Sequence, residues 1–411
     1  MRLTDDLDLF LNGHSWEEFN TPLISHYLLT KNKVFKNAAI AEAISFLKKQ
    51  HPDKTITAKI AENAINTWSL SLPTVPFPGP AEEGKFSFID LFAGIGGFRL
   101  ALQRIGGKCL YTSEWDKNAK LTYKKNFGEV PFGDITKTEN QKFIPPKFNI
   151  LCAGFPCQPF SKAGVSARNF LGLEHGFNHP TQGNLFFEII KIAYEHKPDV
   201  LFLENVKNLY SHDEGNTFKT IEKMIREIGY SFFPAVINAQ TEVPQRRERT
   251  YMVCFKDQNI QFEFPKFQGE AKALSNYLES EVSEQFTISD NLWQGHINRS
   301  KRNKERGTGF TVSLANLNKP SNTLVSRYYK DGKECLIPQV GSNPRMLTPR
   351  ECARLQGFPE EFLLHPSKNS AYKQFGNSVA VPIIEKIGKE IIKFIKIKKV
   401  KPKRNGVQCV S

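Results

Sequence analysis

Phe148-Asn149-Ile150-Leu151-Cys152-Ala153-Gly154-Phe155-Pro156-Cys157-Gln158-Pro159-Phe160-Ser161 is the stretch on which the fold turns. Its first half is an apolar run closed by Gly and Pro, the pattern of a buried strand. The second half presents the Cys157 thiol on a loop at the C-terminal end of that strand, where open α/β sheets place their ligands. Pro156 and Pro159 stiffen the loop by fixing φ, which suits a nucleophile that must be held still. Alone, a single Cys reads equally well as an inert packed thiol. The flanking sequence decides between the two.

Upstream, 86–92 is a strand, 94–97 a Gly-rich turn, 98–105 a helix and 108–114 a second strand. A helix over 117–126 leads to Gly133-Asp134-Ile135. Downstream, 184–195 is amphipathic with Leu185, Ile189 and Ile192 aligned, 199–204 is a strand and 217–228 a helix. Strands near 232–237 and 250–255 have no helix between them, so the sheet should end in an antiparallel pair. Repeated β-α units predict an α/β, Rossmann-like sheet, mostly parallel, with helices on both faces.

The ends of the chain differ from this middle. Residues 1–72 form a helical N-terminal extension, with Ile40, Ile44 and Leu47 on one face and a second segment over 58–65 ending near Trp68. Such helices could be a DNA-binding pair, but a packing appendage is the plainer reading. Pro73, Pro76, Pro78 and Pro80 make 73–85 a stiff linker. The core then runs over 86–255. From 256 to 344 the alternation stops, and Arg299-Ser300-Lys301-Arg302-Asn303-Lys304-Glu305-Arg306-Gly307 is strongly basic; this is a smaller second domain. Residues 345–397 return to the core with a last helix over 383–397, and 398–411 is a basic tail.

At 411 residues the chain can bury a large core in two domains. Its 56 Lys and Arg against 42 Asp and Glu leave a net charge of +14, which favours a polyanionic partner. Seven cysteines, without zinc spacing, read as a reducing cytosol and no metal site. No signal core or stretch of membrane-spanning length is present, so the expected location is cytoplasmic.

Gly94-Ile95-Gly96-Gly97 lets a ligand approach the backbone closely, although it is not the GxGxxG dinucleotide form. Glu114 ends the next strand, where an acid can accept from ribose hydroxyls. Trp115 could stack on an adenine, and Asp134 could accept from its amino group. The set suggests a nucleoside cofactor such as S-adenosylmethionine rather than NAD; a packed turn with solvated acids explains each member singly, and the set poorly. Glu204, in Leu203-Glu204-Asn205-Val206, follows an apolar run, so burial would raise its pKa. Beside Cys157 it makes a catalytic pair. In Val243-Pro244-Gln245-Arg246-Arg247-Glu248-Arg249 the arginines, otherwise a solvated cluster, precede a buried strand and could contact phosphate or carbonyl groups.

The ordered set resembles the DNA (cytosine-5)-methyltransferase family. It comprises 90–97, Gly154-Phe155-Pro156-Cys157-Gln158, Leu203-Glu204-Asn205-Val206, Gln245-Arg246-Arg247-Glu248-Arg249, Arg345-Met346-Leu347-Thr348-Pro349-Arg350-Glu351 and Gln374-Phe375-Gly376-Asn377-Ser378-Val379. The extension, Gly164-Val165-Ser166 and 326–332 resemble its bacterial Dcm-type branch. The resemblance implies an S-adenosylmethionine-dependent enzyme in which Cys157 adds to C6 of a flipped-out cytosine and Glu204 acts at N3. Arg249, with Arg247 supporting, would bind the O2 side. Phe92, Gly94, Gly96, Gly97, Glu114, Trp115, Asp134 and Asn377 would line the cofactor site. Residues 256–344 would recognise a target in double-stranded DNA, a short GC-rich symmetric site. It further implies a monomer, nucleoid-associated when bound to DNA, in a restriction-modification system with a cognate endonuclease. A tRNA methyltransferase and a non-catalytic DNA-binding module are the alternatives; intact Cys157, Glu204 and Arg249 argue against the second. A cysteine protease is poorer still, because no His is placed as a strand-end partner for Cys157.

Overall fold

In a computed structural model, which describes residues 21–70, 74–79, 84–156, 185–307, 312 and 314–395, the extension forms α1 (Pro22–Thr30), α2 (Lys33–Gln50) and α3 (Ala58–Leu70). Thr21 caps α1 by accepting the Ile24 N–H, with Pro22 in the first turn, and Asn32 caps α2. The buried seam of α2 is Phe35, Ala39, Ala43 and Leu47, while Ile40 and Ile44 lie partly buried beside it. This shifts the expected face by one position. Alanines at the centre let neighbouring helices approach closely, and the larger isoleucines wrap over the flanks.

The sheet elements follow as β1 (Phe86–Leu91), α4 (Gly97–Arg104), β2 (Gly107–Thr112), α5 (Lys117–Phe127), β3 (Ile150–Gly154), α6 (Leu185–His196), β4 (Val200–Val206), α7 (Asn216–Glu227), β5 (Phe233–Asn238) and β6 (Glu248–Phe255). The strand order is β2-β1-β3-β4-β6-β5. β2, β1, β3 and β4 are parallel, and β6 runs antiparallel to both β4 and β5, as the missing helix before β6 predicts. The order switches direction between β1 and β3. That opens a crevice at their C-terminal ends, the general ligand position of such sheets.

Alternation along each strand feeds two apolar layers. Phe88, Ile150, Cys152, Phe202 and Val253 point into one, with α4 and the C-terminal helices. Ile89, Leu151, Ala153, Leu201 and Met252 point into the other, which also holds Ile24, Phe35, Leu47 and Trp68 of the extension. The extension thus shares a core with one face of the sheet.

Beyond β6 come α8 (Asp290–Glu305), the short pair β7 (Leu336–Ile337) and β8 (Arg345–Met346), then α9 (Pro349–Arg354), α10 (Lys368–Asn377) and α11 (Val381–Ile391). A capping box between Thr348 and Glu351 starts α9. Arg345 donates two 2.8 Å bonds to the same buried Glu351. The last helix starts two residues earlier than expected, with Pro382 in its first turn, and ends at Ile391. Of the expected linker, Pro73 and 80–83 lie outside the described residues, as do the tail and 157–184.

Gly96 caps α4 at φ 87°, and a Cβ there would meet Phe127 Cε2 at 2.3 Å. A left-handed non-Gly residue costs about 1–2 kcal/mol, and overpacking about 1–3 kcal/mol more. Gly96→Ala should lower the thermal midpoint accordingly, as read by calorimetry. A wild-type midpoint would show that this turn adapts freely.

Candidate active site

The cofactor half is built where β1 and β2 end. Phe92 leaves β1 at φ 58°, a left-handed conformation that a bulky residue rarely adopts. The turn is held from β2: Ala93 N–H donates to Ser113 O at 2.9 Å, and Gly94 N–H to Glu114 Oε2 at 2.8 Å. Glu114 Oε1 accepts the Asp116 N–H at 2.7 Å. Both carboxylate oxygens are therefore fixed by main chain, each with lone-pair capacity left for a ligand hydroxyl. Burial pushes the Glu114 carboxyl above its ordinary value, against the pull of those N–H donors.

The three glycines do different work. A Cβ at Gly94 would meet nothing within 4 Å, so open space lies beside it. At Gly96 it would strike Phe127 and Tyr123, and at Gly97 it would strike Val379 at 2.7 Å. Gly96 and Gly97 thus serve close packing. Trp115, 80% exposed, offers a free ring face. Asp134 Oδ1 accepts from the Thr136 N–H and hydroxyl, both at 2.9 Å. Asn377 is exposed at the end of α10, next to Ser378 and Val379, which pack on Gly97. Buried Ser113 Oγ has no partner. Open space at Gly94, an acid, a free aromatic face and an unpartnered hydroxyl fit a nucleoside cofactor.

Asp90 earned no role from its motif, yet it is 1% exposed and neither carboxyl oxygen has a partner. Burial pushes it well above its ordinary value, against the pull of Arg99. An Asp in an otherwise apolar strand was the available signal.

The catalytic half lies at the tips of β3, β4 and β6. In register, Glu204 sits opposite Gly154 on one side and Tyr251 on the other. Its carboxylate oxygen Oε1 lies 3.3 Å from Arg249 Nε, and its residue exposure is 8%. Burial pushes the Glu204 carboxyl up, and Arg249 and Arg247 oppose this. Asn205, 2% exposed, donates to the Phe155 carbonyl at 2.9 Å and so ties β4 to the start of the Pro-Cys loop. Sequence reading quoted Asn205 without a role; a polar residue directly after the buried Glu was the clue. Cys157 itself lies outside the described residues. The described free thiols, Cys109, Cys152, Cys254, Cys335 and Cys352, are all buried, and burial pushes each one up. That is the reverse of a reactive thiolate's setting.

The arginines separate. Arg249 faces Glu204, whereas Arg247, 2% exposed, donates to three main-chain carbonyls: Leu324 at 3.0 Å, Gly376 at 3.1 Å and Ser378 at 2.5 Å. Burial, with Arg249 beside it, lowers its guanidinium pKa, and the Glu204 carboxylate opposes this. Gln245 adds to the brace by donating to Leu355 O at 2.9 Å and accepting the Leu324 N–H at 2.8 Å. Gly376 permits the crossing, since a Cβ there would lie 2.3 Å from the Val325 carbonyl carbon.

Residues 86–393 match the family model for C-5 cytosine-specific DNA methylases. A Type II methyltransferase M.DsaV from Dactylococcopsis salina is 44% identical over 319 residues, 76% of this chain and 88% of that protein. M.SsoII, a Type II methyltransferase of Shigella sonnei, is 42% identical over 373 residues, 85% of this chain and 95% of its own. A crystal structure of the S. pombe Dnmt2 methyltransferase shares the fold with a TM-score of 0.58, at 18% identity, covering 75% of this chain and 98% of that one. The likeness spans the crevice, both carboxylates and the returning C-terminal helices, and the chain belongs to the C-5 cytosine-specific DNA methylases: it is an S-adenosylmethionine-dependent DNA (cytosine-5)-methyltransferase.

Proposed function

We propose that the chain is the modification enzyme of a restriction-modification system, methylating a flipped-out cytosine in double-stranded DNA through a Cys157–C6 adduct. The observation that carries this reading is Glu204, buried and paired with Arg249, in register with Gly154, which stands three residues before Cys157 in the chain. C5 of cytosine is a poor nucleophile. Thiolate addition at C6 makes C5 an enamine carbon, and loss of the C5 proton later expels the thiolate. Glu204, held towards its neutral form, donates to N3 as charge builds there. Arg249 neutralises the O2 side. Arg247 positions the main chain around them. S-adenosylmethionine supplies the electrophilic methyl group; Glu114, Trp115, Asp134 and the Phe92–Gly97 turn, with Asn377, hold it.

Reaching the ring face requires base flipping, which costs a few kcal/mol. Residues 256–344 serve as the target-recognition domain. On α8 and at its C-cap, Lys301, Arg302, Lys304 and Arg306 are exposed, and they supply salt-dependent phosphate contacts. The type II names of the relatives support a partner endonuclease acting on the same site. The protein acts as a cytoplasmic monomer and on the nucleoid when bound. Among the described residues no helix is long and apolar enough to cross a membrane.

The test is transfer of labelled methyl to unmethylated duplex DNA and, separately, to tRNA, followed by nucleoside analysis. Label in DNA as 5-methylcytosine is expected. Label confined to tRNA would overturn the substrate, and cofactor binding without any transfer would favour a binding module.

A further inference from the structure

The family match begins at residue 86, so α1–α3 lie outside it. One residue of that extension nevertheless reaches the strand that carries the cofactor acid. His26 on α1 is 0% exposed and lies among Phe35, Tyr111 and Phe132, with ring centroids 5.3, 5.9 and 4.7 Å away. Its Nδ1 is 2.8 Å from the Pro22 carbonyl, an acceptor only, so Nδ1 carries the proton. Nε2 is then free to accept, and the Thr112 N–H donates to it at 3.2 Å.

Thr112 ends β2, the edge strand of the sheet. An edge N–H buried without a partner is costly, and His26 is the acceptor the fold provides. Along the same edge, the Thr112 carbonyl accepts the Phe132 N–H, and the Phe132 carbonyl accepts the Glu114 N–H, both at 2.9 Å. The free edge of the strand is thus held at both the N–H and the carbonyl of Thr112, two residues before Glu114. Ser25, next on α1, takes the Val130 N–H at 3.0 Å and so fixes the segment that carries Phe132. Beneath lies Glu129, which accepts from the Thr112 hydroxyl at 2.7 Å and pairs with Arg99 at 2.8 Å. Glu129 Oε1 lies 3.3 Å from His26 Nε2. Arg99 and Thr112 serve the carboxylate, which leaves the imidazole its acceptor role.

We propose that His26 is a positioning residue for cofactor binding: by accepting the Thr112 N–H it fixes the end of β2 and with it the Glu114 carboxylate. The extension is therefore a working part of the cofactor site. This rests on the reading of Glu114 as the acid that holds the cofactor.

The test measures the dissociation constant of S-adenosylmethionine by calorimetry on the full chain, beside the cofactor KM, kcat and melting curves. His26→Leu, which removes the acceptor, should weaken cofactor binding about 10-fold with kcat at saturating cofactor nearly unchanged. His26→Asn keeps a donor towards Pro22 but is too short for Thr112, and should weaken binding in the same sense if the Leu variant does not fold. His26→Gln can return a carbonyl oxygen to the Thr112 N–H and should recover most of the affinity. Leu47→Ala loosens the extension's own packing away from His26, and should lower the melting temperature while leaving cofactor affinity intact. Equal losses of affinity in Leu47→Ala and His26→Leu would reduce His26 to plain packing and overturn the proposal. Wild-type affinity in folded His26→Leu or His26→Asn would do the same. Glu114→Ala separates the two layers: wild-type affinity there overturns the site reading and this proposal together. Weakened binding in Glu114→Ala with none in the His26 variants overturns this proposal alone.

Discussion

Cys157→Ser should reduce methyl transfer by roughly 10⁴- to 10⁶-fold, the scale of losing a covalent nucleophile, with cofactor and DNA affinities unchanged. A hydroxyl at this position is far harder to ionise than a thiol. It is also a harder nucleophile and a poorer leaving group, so both addition to C6 and the final elimination suffer. The Phe155 carbonyl is fixed by Asn205, and Pro156 follows it, so the loop starts from a set position whichever side chain stands at 157. Single-turnover transfer of labelled methyl to duplex DNA measures the loss. DNA carrying fluorine at C5 of the target cytosine gives a second reading. It has no C5 proton to lose, so a covalent complex should survive denaturing electrophoresis with wild type and be missing with Cys157→Ser. A Ser variant within roughly tenfold of wild type would remove Cys157 from the nucleophile's role.

Glu204→Gln should lower kcat by about 10²- to 10⁴-fold, the usual worth of a positioned proton donor. Gln keeps the size and one N–H donor but has no proton to give. The sign of the pH effect follows from burial, which pushes the Glu204 carboxyl up against Arg249 and Arg247. The neutral, donating form therefore persists to higher pH than for a solvated Glu. It is lost as pH rises through the raised value, so wild-type kcat should fall on that alkaline limb. In Glu204→Gln that limb should vanish while the rate stays low throughout. A Gln variant that keeps both the rate and the limb would show that another group titrates there. A melting curve like that of wild type separates lost chemistry from lost fold.

The sheet was legible because its signals are local. Runs such as 148–152 and 199–204, separated by helical periods, leave little choice of fold, and the missing helix between β5 and β6 announced the antiparallel end. Strand-end acids were legible for the same reason: Glu114 ends a strand pattern, and Glu204 closes an apolar run. What escaped depends on contacts between distant residues. His26 meets Thr112 across 86 positions. Arg247 meets Ser378 across 131 and sits in a run that reads as one charged cluster, although only Arg249 faces the carboxylate. The seam of α2 shifted because two alanines outcompeted two isoleucines for the centre of a helix contact, where closeness counts for more than side-chain area.

The brace formed by Gln245 and Arg247 has a consequence for tolerance to substitution. It holds the 321–324 segment through the N–H and carbonyl of Leu324, and the neighbouring Pro244 and Arg246 pair with Ser321 main chain. A grip on peptide groups is indifferent to the side chains they carry. Side chains along 321–324 can therefore be exchanged while the mounting stays the same, and the sheet behind it need not be rebuilt when they are.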